Sequence, residues 1–461
     1  MRRSGLLLSF CLLMAQMIGC GSASADSAPD TRITLGHSTA PLNGPWRFHV
    51  GDDARWSSPD FDDSAWETVD LTPAPGAHDG DVGLPGYVTG WNRRGHAGYT
   101  GYAWYRMKLT VESDGKTPLA LAGPTLVDST YQLYVNGQRL GGPGEFTGKS
   151  PTVFGVRPSV YPLSSSSSTG TQTFVIAFRV WMDPMDASDE SGGIHVAPTV
   201  GDAESIDRLF QVQWLQTFKG YVVDAAEPFA FVVLAIMAWG LMASRSGDRH
   251  GWLTVALVSL ALLRVNQVLF YWTPHLSLRS YDAAVTVVLR PLVLASWTLA
   301  WRDWFRLERS PWHRRLIGAL TLAYMTFALI GRPWFPVEAP HMVKAATDIA
   351  IACLRLAFAA LYLGVIGLGL RRSARPSTCL AALAAILVGI GLFATELNAL
   401  GIPGIWFPYG TGVARGQYAY AAFIALLLAL ILMRSTGYAR TRRKDDGNAL
   451  PQASQSKRTT A

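Results

Sequence analysis

Ionisable side chains sit inside apolar segments of this chain, and eight of them could do chemistry: Asp224, Glu227, Arg264, Arg290, Asp348, Arg355, Glu396 and Arg415. Their surroundings are mostly Leu, Ala, Val and Ile. A lone charge in hydrocarbon costs at least ~3 kcal/mol even on the lenient insertion scale, so these groups should turn toward one another and pair. Asp224 and Glu227 are three apart and share a helix face; Asp348 and Arg355 are two turns apart and share another. One or both of Asp224 and Glu227 are expected to pair with Arg264, Arg290 or Arg415. Two roles fit the set. It is either a static ion-pair lattice between helices or a polar cavity that binds a ligand or couples the segments to another domain. A proton or ion path is disfavoured, because polar residues do not continue through the other half of the segments. Asp282 and Lys344, at segment edges, fall outside the set.

The elements that must hold these charges are seven apolar segments: Tyr221–Ser244, Gly251–Trp272, Tyr281–Trp304, His313–Gly331, Met342–Leu370, Ser377–Asn398 and Thr411–Met433. Each is near the ~20 residues that cross a hydrocarbon core. Trp272, Trp301, Trp304, Trp312, Trp334, Trp406 and Tyr409 fall at the expected interfaces, where amphipathic rings settle. The chain of 461 residues carries 16% charged residues, against about 25% in an average soluble protein, and the deficit lies in residues 221–433. The net charge of +7 does not indicate nucleic acid, because the basic residues lie between apolar segments and in the tail. Arg245 and Arg249, then Arg302, Arg306, Arg309, Arg314 and Arg315, then Arg371, Arg372 and Arg375, mark alternate loops. Arg434, Arg440, Arg442, Arg443 and Lys444 follow the last segment. All these positive loops therefore lie on one side, the cytoplasmic one. The amino-terminal half is then outside, and membrane lipids are the first expected partner.

The start agrees. Arg2 and Arg3 precede an apolar run, Leu6–Met17, too short to span a bilayer, so residues 1–25 read as an export signal. Cleavage after Ala25 and a lipobox-like Met17-Ile18-Gly19-Cys20 both remain open. Of four cysteines, Cys11 and Cys20 lie in this leader, while Cys353 and Cys379 lie in apolar segments. The exported half thus folds without disulfides. The expected location is a bacterial-type inner membrane.

Residues 31–200 alternate short β-type runs with Gly, Pro, Asp and Ser. Tyr105–Val111, Leu119–Ala122, Tyr131–Val135 and Thr173–Trp181 predict strands, and Asn136-Gly137 predicts a hairpin turn. Ser164–Ser168 reads as a flexible loop. Leu42-Asn43-Gly44-x-Trp46-Arg47-Phe48, Phe61-Asp62-Asp63-Ser64-x-Trp66, Trp104-Tyr105-Arg106 and Tyr134-Val135-Asn136-Gly137 with Gly141 occur in that order. This series resembles the galactose-binding-like jelly roll at the amino end of family 2 glycoside hydrolases, over about residues 40–182. The resemblance implies an all-β jelly-roll domain with a carbohydrate or other small ligand. The large rings and the Asp-Asp-Ser turn also make sense as plain packing and turn formation. The hydrolases continue into a catalytic barrel; this chain continues into apolar segments, so it is expected not to be an enzyme.

An exported jelly roll followed by a seven-transmembrane helical bundle resembles the bacterial seven-transmembrane receptors with diverse intracellular signalling modules. That likeness implies signal relay to a cytoplasmic signalling partner. The alternatives are a membrane-tethered carbohydrate-binding module and a transporter-like protein. Residues 206–220 predict an amphipathic connecting helix, with Ile206, Leu209, Phe210, Gln213, Trp214 and Phe218 on one face. Residues 434–461 read as a basic, disordered tail. No phosphate loop, nucleophile elbow or zinc signature occurs, so no cofactor and no metal are expected. The stretch Gly76–Asp81 could hold calcium but reads better as an exposed loop.

Overall fold

The structure is a computed structural model. It describes residues 30–455 apart from 80–84, 115–116, 149, 165–169, 187, 244–250, 308–310, 335–340, 374 and 401–414. The expected export signal, the choice between Cys20 and Ala25, and most of the Ser164–Ser168 loop lie outside the described residues.

Eleven strands form two sheets among the described residues. They are β1 (Thr31–Thr34), β2 (Thr39–Pro41), β3 (Trp46–Val50), β4 (Glu67–Val69), β5 (Gly101–Glu112), β6 (Leu119–Ala122), β7 (Thr130–Val135), β8 (Gln138–Gly141), β9 (Val160–Leu163), β10 (Thr171–Met182) and β11 (Thr199–Asp202). The larger sheet runs β4-β3-β5-β10-β7-β8, with β1 added in parallel on β5; the smaller runs β2-β11-β6-β9. β10 shows why the sheets stack. Phe174, Ile176, Phe178, Val180 and Met182 are buried at every second position, the period that puts side chains on one face. They meet Leu119, Leu121, Leu163 and Val200 of the smaller sheet in one core. Ala177 points the other way and packs with Trp66 and Trp104. At the β7–β8 hairpin, Asn136 and Gly137 have φ of 50° and 81°, the two left-handed residues a tight twisted turn needs.

Seven longer helices and one short one follow among the described residues. They are α1 (Ala203–Ala243), α2 (Gly251–Trp272), α3 (Leu278–Trp304), α4 (Pro311–Ile330), α5 (His341–Arg372), α6 (Pro376–Leu392), α7 (Ala394–Ala399) and α8 (Arg415–Gln455). One apolar core draws on all seven longer helices, through Phe231, Leu257, Trp297, Tyr324, Tyr362, Ala385 and Phe423 among others.

Three expectations need correction. Of the seven expected spans, five are long and apolar enough among the described residues to cross a membrane: Val222–Gly240, Gly251–Trp272, Leu278–Trp304, Met342–Arg372 and Gly416–Thr436. The other two fall short because His313, Arg314 and Arg315 open α4, and because α6 stops after 17 residues at Phe393. The connecting helix at 206–220 is not a separate element. It is the opening of α1, which runs 41 residues with Pro228 inside it. The tail from 434 does not begin as disordered chain, since α8 continues to Gln455.

Candidate functional site: buried charges and the seam with the β domain

Helix α1 places Asp224 and Glu227 one turn apart on its buried face, and α2 brings Arg264 to both. Arg264 Nη2 donates to Asp224 Oδ1 at 2.8 Å, and its Nε lies 2.9 Å from Glu227 Oε2. The second approach is an ion contact without hydrogen-bond alignment, and both Glu227 oxygens lack a hydrogen bond among the described residues. Gln417 of α8 donates to Asp224, Gln267 accepts from Arg264 Nη1 at 2.5 Å, and the guanidinium lies 6.0 Å from the Tyr420 ring centroid. Three helices thus converge on one acid–arginine clasp.

A second clasp joins α5 to α7. Arg355 donates to both oxygens of Glu396, with 2.7 Å from Nη2 to Oε2, and Nη1 reaches the Tyr324 hydroxyl of α4 at 3.4 Å. Asp348 is not brought to Arg355. It is exposed on α5, whereas Arg355 is buried. A shared face two turns apart does not force contact when a partner on another helix lies closer. Arg290 is also exposed and makes no ion pair within 4.0 Å among the described residues, although it lies within electrostatic reach of Glu396 and Tyr420. Arg415 is the first described residue of α8, and its side chain lies outside the described residues.

Charged groups outside the expected eight are also engaged. Asp282 accepts from Arg332 Nη1 at 2.9 Å, Trp334 Nε1 at 3.0 Å and Thr286 Oγ1 at 2.8 Å. It opens a seven-residue π-helical stretch, Ala283–Leu289, that ends at Arg290. Such wide turns break the 3.6-residue spacing and recur at functional positions. At the far end of α3, Arg302 and Asp303 are buried and bonded to each other at 2.9 Å. Arg434 lies 3.6 Å over the Trp304 ring. Arg302 and Arg434, expected in a loop flank and a tail, are packed side chains.

The charged end of the helical body meets the β domain at two places. Ile206 at the start of α1 packs on Ala120 and Ala122 of β6. The turn between α2 and α3 is the second. Leu278 N donates to Val153 O at 2.9 Å, Arg157 Nη1 to Trp272 O at 3.2 Å, and Arg279 Nη2 to Ser150 Oγ at 2.9 Å. Val153, Phe270 and Leu278 close an apolar contact beneath. Gly155 permits this approach, because a Cβ there would come within 3.0 Å of the Phe270 carbonyl oxygen.

Inside the β domain the Phe61–Trp66 motif does structural work. Asp63 Oδ2 holds the buried Arg106 Nε at 2.8 Å, the Trp56 carbonyl accepts from Arg106, and Asp62 Oδ1 caps Ser64 N at 3.0 Å. Trp46 donates from its indole to Leu42 O at 2.8 Å. His195 is buried with Nδ1 facing Val88 O and Nε2 facing Asp128 Oδ2, both at 2.8 Å. Both ring nitrogens therefore face acceptors, and the ring stacks on Tyr87. Burial alone would lower the proton affinity of His195, but Asp128 and the Val88 carbonyl outweigh it and hold its pKa above the ordinary value. No group of three or more metal-ligating side chains converges among the described residues.

No family model matches the chain, and no curated protein matches it. Among solved structures it is similar to a Bacteroides uniformis beta-glucuronidase, at 21% identity and a TM-score of 0.25 over 35% of this chain and 17% of that one. A family 2 glycoside hydrolase beta-glucuronidase gives 19%, 0.26, 36% and 18%, and a Bacteroides vulgatus beta-glycosidase 22%, 0.23, 35% and 20%. The chain spans a fifth or less of these enzymes' lengths. Likenesses this slight carry no argument about activity.

Proposed function

We propose that the protein is a membrane receptor-like sensor. In this reading the β domain is a galactose-binding-like jelly roll that takes a carbohydrate or other small ligand outside the membrane. The five helices long enough to span cross the bilayer, α4 and α6 complete the bundle as shorter crossings packed against them, and the bundle relays occupancy inward. The chain supplies no catalysis, and output goes to a cytoplasmic partner.

The observation that carries this reading is the double attachment of the β domain to the helical body. Strand β11 leads into α1 without a gap, and the loop of residues 150–157 is bonded to the α2–α3 turn. A simple tether needs one span and a slack linker. Two anchors on different helices supply two fixed points, so a tilt of the β domain moves α1 against α2. The Arg264 clasp joins those same two helices. The carbohydrate part of the reading rests on the sequence motifs.

The test is a thermal-shift screen of the full-length protein in lipid nanodiscs against mono- and oligosaccharides and small metabolites. A sugar that raises the melting temperature supports sensing. If no compound moves it, the proposal fails.

A further inference from the structure

We infer that the seam between the β domain and the α2–α3 turn holds a second site, one that binds a small zwitterion carrying one ammonium and one carboxylate. A partly enclosed cavity of about 110 Å³ lies there, lined from the β domain by Ser150, Thr152 and Asp183 and from the helical side by Ser277, Leu278 and Arg279. Its two ionic groups are of opposite sign and come from opposite walls. They line the same space, yet they make no ion pair with each other within 4.0 Å.

Asp183 is buried and held by the backbone around it, whereas Arg279 is exposed and held by one bond to the opposite wall. Asp183 is 4% exposed; its backbone N–H donates to Ser129 Oγ at 2.8 Å, and its Oδ1 accepts from Met185 N at 3.1 Å. Burial pushes its carboxyl above the usual range, and Arg279 is near enough to pull the other way. A buried acid whose nearest cation stands off is short of positive charge, and an ammonium on a ligand supplies it. Arg279 spends Nη2 on Ser150 Oγ at 2.9 Å. Its remaining N–H groups can take a carboxylate, the acceptor that a planar guanidinium fits best. The hydroxyls of Ser150, Thr152 and Ser277 line the space between. A neutral sugar would bring no ionic partner to either group, whereas a single ion would attract one and be repelled by the other.

A ligand there would touch the β domain and the helices at once. It would bind best when the seam is closed and would stabilise that closure by its differential affinity. The site is separate from the carbohydrate reading, since its residues lie at the seam.

The experiment is calorimetric titration of the full-length protein in nanodiscs with glycine, β-alanine and γ-aminobutyrate, which differ in charge separation. Glycolate and methylamine serve as single-charge controls. The expected result is saturable binding of at least one zwitterion, with either control about tenfold weaker or worse, as befits the loss of one charge-assisted contact. Asp183→Asn and Arg279→Gln should each weaken that zwitterion by a similar factor. Arg279→Lys, which keeps the charge, should recover part of it even if a harsher variant fails to fold. Absence of binding by all three zwitterions would overturn the inference, as would equal binding of zwitterions and controls. A sugar response that survives Asp183→Asn would leave the sensing reading standing whatever the seam does.

Discussion

Arg264 and Asp224 are 40 residues apart in sequence and 2.8 Å apart in space, and their contact joins the second long helix to the first. Neither residue is free to leave water cheaply alone. Arg264→Gln strips the clasp of its cation and leaves two buried carboxylates, a change worth about 3–5 kcal/mol of destabilisation. Unfolding of the full-length protein in mixed micelles measures it. Combined with Asp224→Asn, the double change should cost less than the two single changes summed. Strict additivity would mean that the two groups act independently.

Glu227 differs from Asp224 although the two sit one turn apart. Its only described cation contact is misaligned for hydrogen bonding. Glu227→Gln removes a poorly satisfied charge and leaves Arg264 with Asp224, so its cost should stay within about 1 kcal/mol. Asp224→Asn should cost clearly more in the same unfolding experiment. The reverse order would show that Glu227 is the main partner.

In the β domain, Arg106 is buried and holds Asp63 and two loop carbonyls. Arg106→Met keeps much of the stem's bulk but abandons those acceptors. Destabilisation of about 2–4 kcal/mol is expected, read as a lower melting temperature in the intact protein. Asp63→Asn should cost less, because the amide oxygen can still accept. An unchanged melting temperature for Arg106→Met would show that packing alone closes the loop.

His195 gives a pH signature. Its folded pKa is raised above the ordinary 6.5. Its stabilising contribution is therefore fully present below that ordinary value, and it is lost as pH rises through the raised one. Melting temperature should fall over that upward range, and His195→Gln should remove this part of the slope. A slope that persists unchanged in the variant assigns the effect to another group.

The proposed topology rests on the distribution of arginines. Alkaline-phosphatase fusions should be active after residue 200 and inactive after residues 308, 373 and 445, because that enzyme needs export. Activity at residue 373 with none at 308 would overturn the seven-span arrangement, and activity at residue 308 would overturn the orientation itself.

Much of the architecture was legible because it rests on local rules. Period-two burial along Thr171–Met182 and the Asn136-Gly137 turn are written in adjacent residues. Helix α2 ends at Trp272, where the apolar segment that began at Gly251 was expected to end. The site was legible in kind but only partly in pairing. Spacing puts Asp348 and Arg355 on one face, yet it cannot say that Glu396 on another helix takes Arg355. Asp282 was set aside as a segment edge, and its three donors, Thr286, Arg332 and Trp334, become evident only once the chain is folded. The break expected near Tyr221 failed for a different reason. Composition changes there because the surroundings change, whereas the helical hydrogen bonds of α1 are local and continue through.

Pro228 gives that long first helix an uneven stiffness. A helix of 41 residues is a rod of roughly 60 Å at 1.5 Å per residue. Proline has no N–H, so the carbonyl four residues earlier loses its rung, and helices bend at such turns. That carbonyl belongs to Asp224. The rod is therefore most compliant at the turn whose side chains hold Arg264. A bending moment applied where Ile206 seats on the β domain is concentrated at that turn, so the helix and its clasp form a lever with its fulcrum at the arginine.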